Sequence, residues 1–303
     1  IGTRNAGGSM SDFYMDDVRW TQGVCRYPGG TTFDPPSREG DEYYSSTILL
    51  LKGEGADGQT TTVDSSPYNH TMVRDIGDGS SILELDTAIK HCGISSLLLN
   101  HDDVADSTGW TSWNATDSVF AKGDANDFTA ECWFYWDGSD GGNGNYLFHW
   151  SGGISIIISG NQFSANRTAT FTAYRAGVSP QIFAGSVGSP AWSDNTWTHV
   201  AIARDGATLY GYINGVSVGT PVDLSTNIVG FATTTAYVGS RGSSGSSFPG
   251  AVVGAAANSV NIDDVRFTDG ICRYPGGTTF TPACADGAAP VGFPVTKWQR
   301  YQG

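Results

Sequence analysis

Positive charge is scarce in this chain: 16 lysines and arginines stand against 30 aspartates and glutamates, a formal net charge of -14 over 303 residues. No Lys/Arg-rich run offsets it, so a phosphate backbone or an anionic membrane surface is repelled, and nucleic acid is excluded as a partner. No apolar run reaches bilayer length, which argues against membrane insertion, and the N-terminus lacks the charged, apolar and small-residue order of a signal peptide. No long window carries an apolar stripe of period 3.6, so helical folds are excluded. The five histidines show no zinc-ligand spacing, there is no Gly-x-Ser-x-Gly elbow, and the glycine-rich runs lack the context of a phosphate loop. Charged residues make up only 15% of the chain and glycines number 41, the composition of a turn-rich β protein.

Cysteine is sparse as well. Cys25, Cys92, Cys132, Cys272 and Cys284 leave at least one thiol without an intrachain partner. Cys25 and Cys272 hold equivalent places in a repeat, yet Cys284 has no counterpart after Cys25. A disulfide framework is therefore not indicated, and reduced, packed cysteines are expected.

What the chain does contain is a long-period repeat. MDDVRWTQGVCRYPGGTTF, from Met15, returns as IDDVRFTDGICRYPGGTTF, from Ile262, with 15 of 19 positions identical. A period of about 247 residues suits one large all-β domain, each copy being a domain's closing segment. Residues 1–36 then read as the C-terminal fragment of a preceding repeat, 37–43 as a linker, 44–285 as a full domain and 286–303 as a tail. The fragment's apolar edge needs a cover, either the rest of its own domain or another subunit's sheet. In the tail, Trp298, Arg300 and Tyr301 are either a contact patch or part of a flexible terminus.

Short apolar or alternating runs punctuated by Gly, Asn, Asp and Ser predict strands over 47–52, 95–99, 128–136, 145–150, 154–159, 171–174, 198–204, 209–213 and 236–239. Asp205-Gly206 predicts a tight connection, and Asn214-Gly215 a type I′ hairpin, which needs positive φ at both central residues. Many strands with hairpins and no helices predict an all-β sandwich of two antiparallel sheets.

The order of motifs narrows this. TILLLKGEGADG, VDSSPYNHT, TAIKHCGISSLLL, DFTAECWFYW, WTHVAIARDGATLYGYINGVSVG, TAYVGS and IDDVRFTDGICRYPGGTTFTP follow one another as in the laminin-G-like domains of the concanavalin A-like lectin/glucanase superfamily. The resemblance covers about 240 residues and implies a jelly roll, with Trp133, Phe134 and Trp197 on core strands and His199 a hydrogen-bonded core histidine. The closing form is similar to domains of bacteriophage tail-fibre and other structural proteins. It implies a binding or spacer module and not an enzyme. Superfamily hydrolases need paired carboxylates on alternate residues of one strand. Glu84-Leu85-Asp86-Thr87-Ala88 begins that pattern but lacks the further acid, Ala88 standing in its place.

By the same resemblance the metal of choice is a structural Ca2+, held by Asp263 or Asp264 with Asp64 as partner, and by Asp16 and Asp17 in the preceding copy. Alternatively Asp64 makes an Asx-turn with Ser66, and the Asp pair bonds Arg266 or loop amides. For glycans, Trp110, Trp113, Trp136, Trp150 and Trp192 are flanked by Gly, Ser, Asn and Asp, which predicts loop tips or strand ends where a sugar ring can stack. The expectation is a non-catalytic module of a virion appendage, a phage tail fibre or surface decoration. Its partners are copies of itself, a trimer by analogy, other virion proteins, and a host cell-surface glycan. The alternative is a secreted bacterial carbohydrate-binding adhesin, or an accessory module of a polysaccharide-degrading enzyme, at the cell surface or outside the cell.

Overall fold

The computed structural model describes residues 41, 43–76, 82–101, 111–121, 126–137, 141–150, 153–161, 164–175, 178–185, 192–224, 234–240 and 258–285. They form two antiparallel sheets face to face, and the described residues contain no α-helix. The larger sheet holds β1 (Thr47–Leu51), β3 (Ile82–Asp86), β4 (Ser96–His101), β6 (Phe128–Trp136), β11 (Thr198–Asp205), β12 (Thr208–Ile213), β13 (Val216–Asp223) and β15 (Asn258–Asp269), ordered β13-β12-β11-β6-β15-β4-β3 with β1 also on β15. The smaller sheet runs β10 (Val178–Gly185), β9 (Ser164–Arg175), β8 (Ile154–Asn161), β7 (Gly141–Trp150), β14 (Thr235–Val238), β5 (Thr111–Thr116), β2 (Val73–Ile76). The expected two-sheet sandwich is the observed fold.

Alternation along each strand builds the core, because successive side chains leave opposite faces. From β6 come Phe128, Ala130, Cys132, Phe134 and Trp136; from β11, Val200 and Ile202; from β8, Ile154, Ile156 and Ile158. The hairpin between β12 and β13 is the predicted one, with φ of 50° at Asn214 and 76° at Gly215. A Cβ on Gly215 would run into the Phe280 carbonyl oxygen. Gly215→Ala is therefore expected to cost about 1–3 kcal/mol in urea unfolding, whereas Gly206→Ala, equally left-handed but in open space, should lose only the smaller conformational part.

The closing strand carries a bulge. Asp263 pairs with Trp133 and Arg266 with Glu131, so three steps on β15 match two on β6. Asp264 absorbs the extra residue at φ 50°, a region that aspartate tolerates better than branched residues. Here β15 changes partner, from β4 up to Ile262 to β1 from Val265 onward. The Asp263-Asp264 pair of the motif's second copy is this bulge.

The fragment 1–36, with Asp16, Asp17 and Cys25, and the tail 286–303 lie outside the described residues, as does Trp110.

Candidate functional site

A sandwich normally buries one face of each sheet, yet β6, β11 and β15 are buried on both. The outer face of the larger sheet is covered by two segments. Residues 270–285 cross β12, β11 and β6, where Tyr210, Cys272, Tyr274 and Phe280 pack on Ala201, Ala203 and Tyr212. Residues 87–95 cross Trp133, whose ring centroid lies 3.8 Å from that of His91.

Under the first cover sits an ionic cluster. Glu131, pointing outward from β6, accepts from Arg266 Nε at 2.7 Å, meets His199 Nε2 at 3.1 Å and accepts the Tyr274 hydroxyl. Asp41 bridges Arg266 at 3.1 Å and both terminal nitrogens of Arg273 at 2.9 Å. Burial alone would raise the Glu131 carboxyl; the Arg266 guanidinium, the His199 hydrogen bond and Arg273 outweigh it and hold it well below the usual carboxylate range. Burial, then Glu131, push the Tyr274 phenol upward, so it stays a donor. This cluster explains the Arg and the Arg-Tyr of the repeated motif: they lock the closing segment to the sheet. His199 is the hydrogen-bonded core histidine expected.

The carboxylates proposed for calcium are otherwise engaged. Asp64 accepts from Leu50 N, Ser66 N, Ser66 Oγ and His70 N at 2.8–2.9 Å, and meets His70 Nδ1 at 2.6 Å. This is the Asx-turn alternative, and both oxygens are surrounded by donors. Asp263 Oδ2 accepts the backbone N–H groups of His91 at 3.0 Å and Cys92 at 2.8 Å, while Asp264 accepts that of Ala285 at 2.6 Å. The Asp pair bonds loop amides, and Arg266 goes to Glu131 and Asp41. An oxygen cage of six to eight ligands does not fit three carboxylates already saturated or turned to separate loops. The one metal-capable group among the described residues is different: His91, Cys92 and Cys284, all buried, with their ligand atoms within 4.8 Å of one another.

Cys92 and Cys284 form a disulfide, which corrects the expectation of reduced cysteines. It staples the segment over Trp133 to the end of the closing segment, a contact between positions 192 residues apart that spacing alone could not reveal. Cys132 and Cys272 are free thiols, Cys132 pushed well up by burial and Cys272 up to about 11 by the same cause. Burial, with His199 second, pushes His91 down to about 4, and burial pushes Asp263 well above its usual value against the two N–H donors.

The tryptophans assigned to sugar stacking need correction too. Trp113, Trp136, Trp150 and Trp192 are at most 5% exposed, all within the main core. Their polar neighbours in sequence point the other way, or belong to turns, while the rings face inward. Among the described residues, Tyr135 and Trp197 are two half-exposed aromatics in ring contact, the latter expected in the core. Their ring centroids are 5.7 Å apart at the outer face of the larger sheet, at the margin of the second cover, where Trp197 also packs on His91 and the Cys92–Cys284 cluster. Tyr135 OH donates to Asn195 Oδ1 at 3.1 Å. The loop bearing Asn195 and Trp197 is fixed at three points: Trp192 in the core, Asn195 N donating to Trp136 O at 2.8 Å, and Arg167 forked onto Asp194 at 2.6 and 2.7 Å while lying over the Trp136 ring. Across the sheet from Tyr135, the pairing continues through Asn261 and Leu98 to Glu84.

Glu84 and Asp86 share this outer face, two residues apart on edge strand β3. Asp86 is a structural acceptor, bonded by Ala88 N at 2.7 Å, Ile89 N at 3.3 Å and Asn261 Nδ2 at 3.0 Å.

A family model described as the Concanavalin A-like lectin/glucanases superfamily, of the laminin G group, matches residues 107–269. The chain belongs to that superfamily. No curated protein matches it. Among solved structures, this superfamily member is similar to the binding domain of botulinum neurotoxin DC in complex with rat synaptotagmin II (TM-score 0.53, 16% identity, 75% of this chain and 49% of that one). It is also similar to the binding domain of botulinum neurotoxin serotype C1 (0.52, 18%, 75% and 49%), and to that of botulinum neurotoxin DC in complex with SialylT (0.51, 17%, 74% and 48%). The chain thus spans about half the length of these structures, and at such identities the likeness is one of fold.

Proposed function

We propose that the domain is a non-catalytic binding and display module that takes a neutral glycan on the outer face of the larger sheet, at Tyr135 and Trp197. The observation that carries this is the pre-set aromatic pair, held by a pinned loop beside the amide of Asn195 on an otherwise covered face. Sugar rings present C–H faces to aromatic rings, and a rigid platform loses little entropy on binding. The acidic balance of the chain, together with Glu84, Asp86 and Asp194 near this face, disfavours a sialylated or sulfated ligand. The engagement of Asp86 by three protein donors supports the non-catalytic reading.

The repeated closing motif supports a setting in a serially built appendage of a virion, with other copies or other virion proteins as neighbours. The Cys92–Cys284 bond favours the second setting, an exported adhesin or accessory module, because such bonds persist in oxidising compartments.

The test is a glycan array of neutral and sialylated oligosaccharides probed with the full chain, followed by calorimetric titration of any retained sugar. Neutral glycans are expected to bind, and Trp197→Ala to weaken them about 10- to 30-fold with the β signal retained and only a modest fall in the thermal midpoint, from the packing lost on His91 and the Cys92–Cys284 cluster. Failure to retain any neutral glycan, or unaltered affinity in Trp197→Ala, refutes the reading.

A further inference from the structure

We propose that His91, Cys92 and Cys284 are a redox-gated zinc site: once the Cys92–Cys284 bond is reduced, the two sulfurs and the His91 imidazole take up one Zn2+. Three features converge on it. The ligand atoms already lie within 4.8 Å of one another, and all three residues are buried. Tetrahedral zinc, with Zn–S near 2.3 Å and Zn–N near 2.0–2.1 Å, needs ligand atoms spaced at roughly this range or slightly less.

Next, His91 is not committed elsewhere. Among the described residues neither ring nitrogen has a hydrogen-bond partner, although the residue is only 2% exposed. An imidazole buried in that condition forfeits its hydration at both nitrogens, and a metal bond would restore one of them. It is not held by charge either, its ring lying against Trp133 and Trp197 at centroid distances of 3.8 and 5.4 Å.

The third feature is Asp263. Its Oδ2 receives the N–H groups of both adjacent ligands, His91 and Cys92, so one carboxylate orients the pair. Its Oδ1 is buried without a hydrogen-bond partner among the described residues, so this oxygen is uncommitted beside the two ligands that Oδ2 holds. Asp263 is thus a positioning residue of the site. Two sulfurs and an imidazole form a borderline-soft set that selects zinc and leaves calcium unbound.

The chemistry balances in two steps. A dithiol or phosphine reductant supplies two electrons; the S–S bond breaks, two protons are taken up, and the reductant leaves as its own disulfide or, with water, as the phosphine oxide. Zinc then binds without any redox change: the two thiol protons pass to solvent as two S–Zn bonds and one N–Zn bond form. The same side chains would hold the closing segment by a covalent bond under oxidising conditions and by a metal bond under reducing ones.

Co2+ is the probe, because thiolate ligation gives it charge-transfer absorption. The full chain, reduced with a phosphine and freed of air, is expected to develop these bands at one equivalent of Co2+, to lose them when Zn2+ is added, and to show none when oxidised. Cys284→Ser and His91→Ala should lower the affinity at least 100-fold, and Asp263→Asn about 10- to 100-fold, the usual effect of removing an orienting partner. Zn2+ should raise the thermal midpoint of the reduced wild type and leave that of reduced Cys284→Ser unmoved; a reduced chain that unfolds without metal and regains its β signal with Zn2+ supports the site equally. Absence of the bands in the reduced wild type, or full-strength bands in Cys284→Ser, overturns it. So does a reduced chain that stays unfolded with Zn2+ present.

Discussion

Glu131→Ala is expected to lower the unfolding free energy by about 3–5 kcal/mol, since removing one member of a buried ion pair strands its partners in a medium that cannot solvate them. Here the stranded groups are Arg266 and Arg273, with side chains 6% and 10% exposed, for which Asp41 would be the remaining salt-bridge partner among the described residues. Urea unfolding of the variant measures the loss. The pH dependence has a definite sign. The folded carboxyl lies below its ordinary value of 4.5, so its stabilisation is complete above that value and drains away as pH falls below it. Wild type should therefore lose stability more steeply than Glu131→Gln from about pH 4.5 downward; parallel curves would refute the assignment. A cycle with Arg266→Met is expected to show a coupling of about 1–3 kcal/mol, the double variant costing less than the sum of the singles.

That cluster gives the repeat its meaning. Arg266, Arg273 and Tyr274 converge on Glu131 and Asp41, Phe280 stacks on Tyr274 with centroids 3.4 Å apart, and Phe280 N donates to Gly215 O at 3.0 Å. Arg19, Arg26, Tyr27 and Phe33 are the equivalents in the first copy. The motif keeps what fastens the closing segment to a sheet, and it contains no residue of the Tyr135–Trp197 face. The fastening residues and the face proposed for a ligand thus lie on different parts of the domain, so a shared motif between copies carries no implication of a shared ligand.

The sequence showed the inner strands and hid the edges. β6, β8 and β11 are continuous or alternating apolar runs, because strands flanked on both sides are buried, and Asn214-Gly215 announced its hairpin. The strands not foreseen include β2, β3 and β10, ends of the two sheets, while β13, a further end, was marked only by its hairpin turn and not by its own run. They read VRDI, ILELD, VSPQIFAG and VSVGTPVD, mixed runs carrying charge, Pro180 and Pro221, which edge positions tolerate and central ones do not. β5, TSWNAT, was hidden for a related reason: only Trp113 and Ala115 face the core, between polar residues that resemble a loop. The same ambiguity misassigned the tryptophans. A ring between Ser and Asn is equally compatible with a loop tip and with an alternating strand, and only the pairing partner decides. Glu131 gave no warning, since a lone acid within AECWFYW reads as a solvent-facing position until a second layer is known to cover it.

Cys284→Ser is expected to destabilise the oxidised, metal-free protein by about 2–5 kcal/mol, the upper end because the bond closes a very long loop. The cysteines are 192 residues apart, and chain-entropy scaling for such a loop gives about 5 kcal/mol, lowered where the unfolded chain keeps residual structure. The loss has a local side as well. Without the bond, the end of the closing segment at Cys284 and Ala285 depends on the Ala285 N–H to Asp264 and on packing against Trp133 and Trp197. Hydrogen exchange should therefore rise first at residues 91–95 and 283–285, before any change in the β6 or β11 amides. The change leaves the main core and the Glu131–Asp41 cluster untouched, so the variant should still fold. Reductant and a chelator added to the wild type should reproduce the urea midpoint of Cys284→Ser, and further reductant should leave the variant unmoved. A wild-type midpoint insensitive to reduction would mean that the fastening rests on the Glu131 cluster alone, and that residues 87–95 are held by Asp263 and by the apolar contact with Trp133.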